Sequence, residues 1–115
     1  MKITRELASQ RLAEYTEKVL LPGLKGGKKD NGARFRIGFA LGLGLVKVTD
    51  EQWEALKDIG AVDADGSLDL DVVRKGAAAG VAAAGGEVYV DRLGVWLSSD
   101  DVVKLVAYME SGSLG

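Results

Sequence analysis

Apolar residues recur at steps of three and four from the start of the chain: Ile3, Leu7, Ala8, Leu12, Tyr15 and Val19, with Glu14 and Lys18 placed i,i+4 on the other side. This spacing predicts a helix from about Thr4 to Leu20, ended by Pro22 and Gly23. The run LKGGKKDNG that follows has no apolar residue after Leu24 and predicts a mobile basic loop near 23–32.

Residues 34–48, RFRIGFALGLGLVKV, satisfy two periods at once. Phe35, Ile37, Phe39, Leu41, Leu43 and Leu45 alternate with small or polar residues, as in a half-buried strand. The stretch is about twice the usual strand length and carries three glycines, so a helix is the preferred reading, with the strand left open. On a helical wheel Phe35, Phe39, Leu43 and Val46 form one stripe, and Ile37, Leu41, Leu45 and Val48 the opposite one. That predicts a central helix buried on two sides, in which Gly38 and Gly42 let a neighbouring backbone approach.

The second half carries clearer punctuation. Thr49-Asp-Glu-Gln52 is a capping box, with Val48 and Trp53 spaced as a hydrophobic staple, and Gly60 is placed to end that helix. Asp69 caps LDVVRKGAAAGVAAA, which Gly85 and Gly86 stop. EVYV and GVWL flank DRL as the arms of a tight hairpin, with Gly94 supplying a positive φ. Ser98 or Ser99 caps a last helix whose inner stripe is Val102, Leu105, Val106 and Met109, with Asp100 and Asp101 at its positive end and Gly112 closing it. The fold class is therefore α+β: mostly helical, about five helices, with a short C-terminal β-hairpin before the last helix, in a single small domain over 1–115.

Composition narrows the chemistry. With no cysteine and no histidine among 115 residues, thiol nucleophiles, zinc-thiolate sites and the commonest general base are excluded. Ser98 and Ser99 have no histidine partner, so no enzyme and no cofactor is expected. The N-terminus lacks the continuous apolar core of a signal peptide, and Ile37–Val46 is about half the ~20 residues that a membrane helix requires. A cytoplasmic protein, or one incorporated into a phage-type assembly, without a membrane partner, is the expectation.

The net charge of -2 hides an uneven distribution. Lys18, Lys25, Lys28, Lys29, Arg34, Arg36 and Lys47 fall in the first half, whereas Asp50–Asp71 is acidic with Lys57 as its only base. Lys25, Lys28, Lys29, Arg34 and Arg36 are the candidate nucleic-acid contacts, set against the plainer reading of a solvated loop. Whether the two segments pair within one chain stays open. In AVDADGSLDLDV, placing Gly66 at the sixth position of a calcium loop aligns Asp63, Asp65 and Asp69 but leaves Ala61 first and Val72 twelfth. The bidentate acid is missing, so these aspartates are read as turn and cap residues rather than metal ligands. GFALGLG lacks the order and the lysine of a phosphate loop. Trp53, Trp96, Gly76 and Gly80 remain as candidate interface positions.

The order DADGSLDLDVVRKGA, Gly-Gly, short hairpin and SSDDVVKLVAYME resembles small uncharacterised proteins of bacterial phages and mobile elements, over about the last half of the chain. The resemblance implies a small accessory or structural protein that works by binding a protein partner or itself, with nucleic acid as the alternative partner.

Overall fold

A computed structural model describes the backbone of residues 1–24, 28–90 and 95–114, and the side chains of 1–24, 32–87 and 97–114. The chain is mostly helical α+β. Strand β1 (Lys2–Ile3) leads into α1 (Arg5–Tyr15), whose N-cap Thr4 accepts a hydrogen bond from the Leu7 amide at 3.1 Å. The winding then widens into one π-helical turn, Thr16–Leu20. Thr16 is buried and donates its hydroxyl to the Leu12 carbonyl at 2.8 Å. Its own carbonyl accepts the Leu21 amide at 2.8 Å, an i→i+5 bond.

Helix α2 (Lys28–Gly42) corrects the sequence reading at both ends. It begins inside the segment expected to be loop, because lysines are good helix formers and no proline stands between Gly23 and Arg34. It ends well before Val48 because Gly44 takes a positive φ of 68°. Gly44 N–H then reaches the Leu41 carbonyl and Leu45 N–H the Ala40 carbonyl, which closes the helix as a Schellman motif. Val46 and Val48 are buried beyond that stop, in irregular chain.

Helix α3 (Asp50–Asp58) starts with the expected capping box: Thr49 Oγ1 accepts from Gln52 N–H, and Gln52 Oε1 accepts from Thr49 N–H. Gly60, at φ 77°, ends it through a second Schellman pair to Lys57 and Leu56. Strand β2 (Leu68–Asp69) returns to pair antiparallel with β1, Ile3 opposite Leu68, an association between distant segments that periodicity did not announce. Helix α4 (Leu70–Ala83), capped by Asp69, is followed by β3 (Glu87–Val90) and β4 (Val95–Ser98), paired antiparallel with Val88 opposite Leu97 and Tyr89 opposite Trp96. Gly94 lies outside the described residues. Helix α5 (Ser99–Ser111) opens with a capping box between Ser98 and Asp101 and closes on Gly112 at φ 68°.

The core gathers Ile3, Ala8, Val48, Trp53, Ala61, Leu68, Leu70, Val106 and Met109, so α1, α3, α4, α5 and the β1–β2 pair contribute to one cluster. Val48 and Trp53 meet in it as the staple requires. Helix α2 stands outside that cluster and rests mainly on the π-helical turn.

Candidate functional site

The inner side of α2 is made by Ala33 and Ile37, both buried, with Ala40 and Leu41 half-buried beside them. The outer side is apolar and in water. Phe35 is 76% exposed, Phe39 59% and Leu43 58%, and the two phenyl rings stack with centroids 6.2 Å apart and planes 16° apart. Leu45, just past the helix, is 55% exposed. Expected two-sided burial of this helix is thus corrected: the Gly44 stop removes Leu45 and Val48 from the helical wheel, and one face suffices to seat what remains. Such an exposed apolar strip is a candidate contact surface.

The glycines expected to receive a neighbouring helix do not. Among the described residues, and apart from the helix's own backbone, a Cβ built at Gly38, Gly42 or Gly80 meets nothing within 4 Å, and at Gly76 it meets the Ile59 side chain, at 3.0 Å.

Arg34 and Arg36 border the aromatic strip on its two sides, since their positions on the helix flank it. Arg34 donates to the Leu24 carbonyl at 2.7 Å, and Arg36 is exposed. Lys28 and Lys29 lie in the first turn of α2 with side chains outside the described residues, and Lys25 is outside them altogether. Trp53 is 9% exposed and belongs to the core, with the Arg5 guanidinium 5.4 Å from its ring. Trp96 sits in β4 opposite Tyr89, its side chain outside the described residues.

The aspartates weighed as a calcium loop hold the fold. Asp65 accepts the Ser67 amide, Asp69 accepts the Asp71 amide, and Asp63 pairs with Lys2 at 2.6 Å. The Asp63 carboxylate holds the Lys2 ammonium above its ordinary pKa. Arg5 meets Asp50 at 2.6 Å, which lowers the Asp50 pKa, and the N-terminal amine meets Asp71 at 3.4 Å. Among these pairs the acidic segment is met by the first five residues rather than by the 25–36 cluster.

A second polar constellation joins α1 to α5. The buried Tyr108 donates its hydroxyl to Glu14 at 2.6 Å and accepts from Lys18 at 3.3 Å, with Tyr15 packed 5.8 Å away, ring centre to ring centre. The Tyr108 hydrogen bond lowers the Glu14 pKa and raises that of Lys18. Burial raises the Tyr15 pKa. An open cleft of about 720 Å³ between α1 and the start of α3 is lined by Arg5, Glu6, Lys47 and Asp50, but Arg5 is spent on Asp50 and the Val48 carbonyl.

Sequence reasoning placed Phe35, Phe39 and Leu43 together in one stripe of a helix buried on two sides. Their i,i+4 spacing between two arginines, with a stop glycine close behind, was the available signal. No family model, curated relative or solved structure matches the chain. No helix of the described residues is long and apolar enough to cross a membrane.

Proposed function

We propose that the protein is a non-catalytic interaction or assembly protein, structural or accessory in role, whose contact surface is the outward face of α2. The observation that carries this reading is the Phe35–Phe39–Leu43 strip, held in water by a helix that buries only its opposite side. Helices that present apolar residues at i, i+4 and i+8 engage grooves or other helices through them. The resemblance of the second half to small phage and mobile-element proteins suits the same role. So does the use of Asp50, Asp65 and Asp69 in a surface pair, a turn and a cap.

A photo-crosslinking phenylalanine analogue in place of Phe35 or Phe39 tests the surface in expressing cells. The expected result is a discrete adduct from both positions, lost in a chain that also carries Leu43→Glu, and absent when the analogue replaces the exposed Val103 on α5. Equal labelling at all three positions, or none, overturns the assignment. One observation favours a second reading: stacked exposed rings between two arginines suit a single-stranded nucleic acid, whose bases stack on aromatics while cations meet the phosphates.

A further inference from the structure

We infer that the open cleft between the end of α1 and the C-terminal half of α5 binds a neutral, largely apolar small molecule whose carbonyl oxygen accepts a hydrogen bond from the Tyr15 hydroxyl. The cleft holds about 450 Å³, within the range of small-molecule sites. Tyr15, Val19, Ala107, Tyr108 and Leu114 form its aromatic and aliphatic walls, and Lys104 lies one turn before Tyr108 on α5. The site shares no residue with the outward face of α2 and does not depend on it.

Two tyrosines meet at this cleft, their ring centres 5.8 Å apart, and they differ in one respect. The Tyr108 hydroxyl is answered twice, by Glu14 and by Lys18. Tyr15 is as deeply buried, at 2% exposure, yet nothing among the described residues hydrogen-bonds its hydroxyl. A buried phenol ordinarily finds a partner, and leaving one without a partner costs stability. A hydroxyl kept in this state on the wall of a cleft is a place for an acceptor supplied from outside the chain.

The surroundings choose the ligand's charge. Among the described residues that line the cleft Lys104 alone is charged, and its ammonium meets Asp100 at 3.2 Å. Burial, and then Asp101 and Asp100 against the opposing Lys104, hold the Tyr15 hydroxyl above its ordinary pKa, so it stays protonated and donates. The same two carboxylates disfavour an anion, and Lys104 disfavours a cation. Ser111 Oγ is already engaged, donating to the Ala107 carbonyl and accepting from the Ser113 amide. What remains is one neutral donor set in apolar walls, which suits an aryl or acyl compound with a single carbonyl oxygen.

Titrating the full chain in an amide-resolved NMR spectrum with three probes tests this: acetophenone, ethylbenzene, which has a similar shape without the oxygen, and benzoate, which adds a charge. Acetophenone is expected to shift the Val19, Ala107 and Ser111 resonances saturably and to bind more tightly than either of the others. Tyr15→Phe should weaken acetophenone about three- to tenfold, the range of one neutral hydrogen bond, and leave ethylbenzene unchanged. Its melting temperature should stay native, because no bond within the chain is lost. Ala107→Phe, at an exposed position on the cleft wall, should abolish binding of both neutral probes. No saturable shift at the cleft, equal acetophenone affinity in Tyr15→Phe, or tighter binding of benzoate each overturns the inference. So does a melting temperature of Tyr15→Phe lowered as much as that of Tyr108→Phe, which would mean that the hydroxyl already has a partner in the chain.

Discussion

Tyr108 ties the first helix to the last through one hydroxyl that serves a carboxylate and an ammonium at once. Tyr108→Phe keeps the ring and removes both bonds, and is expected to cost about 1–2 kcal/mol in a urea titration. The same change acts on pH dependence. Glu14 and Asp50 have pKa values lowered by folding, Glu14 by the Tyr108 hydroxyl and then Gln10, Asp50 by Arg5. The stability they contribute is present above the ordinary carboxylate range of about 4 and is lost as pH falls through the lower folded values. Melting temperature is therefore expected to hold between about pH 5 and 8, where no histidine titrates, and to fall below about pH 4. In Tyr108→Phe the Glu14 share of that acid slope shrinks to the part that Gln10 and the nearby cations supply, and its carboxyl resonance titrates nearer the ordinary value.

Among the elements, the ends were more legible than the faces. Thr49, Asp69 and Ser98 cap the three helices expected of them, and Gly60, Gly85 and Gly112 take positive φ where those helices close. A cap is decided by four or five adjacent residues, so a linear reading contains it. Which side of a helix is covered depends on where distant elements lie, and α2 shows the difference. Its apolar residues all round argued for burial, yet only Ala33 and Ile37 of its described side chains are buried. Ile3, counted with the first helix by its spacing, belongs instead to a strand whose partner is 65 residues away in sequence, Leu68. The candidate surface was misread for the same reason, since hydrophobicity alone does not distinguish a core residue from a waiting contact. Helix α4 offers a further test. Gly80→Ala is expected to stabilise by about 0.5–1 kcal/mol, because its Cβ enters open space within a helix. Gly76→Ala should gain less, since Ile59 must shift, and thermal denaturation of the two variants side by side gives the comparison.

At the scale of the molecule, the N-terminal residues close the structure. Ile3 enters the core, β1 pairs with β2, and Lys2 and Arg5 meet Asp63 and Asp50. Each ion pair has one partner open to solvent, which screens it, so the apolar contact carries the closure. Ile3→Ala is expected to cost about 2–4 kcal/mol, seen as a lower urea midpoint with an unchanged slope.

Among the described pairs, Asp50, Asp63 and Asp71 of the acidic segment are thus met by Arg5, Lys2 and the N-terminal amine.

The π-helical turn at Thr16–Leu20 carries one residue more than an α-helix would spend on the same bond, since Leu21 reaches back to Thr16 rather than to Glu17. It therefore acts as a phase adjuster. Were the same five residues wound as ordinary α-helix, with none removed, Val19, Leu20 and Leu21 would be rotated by about 100° relative to α1. The seat on which α2 rests would turn with them, so the length of this one turn sets the direction in which the aromatic strip looks out.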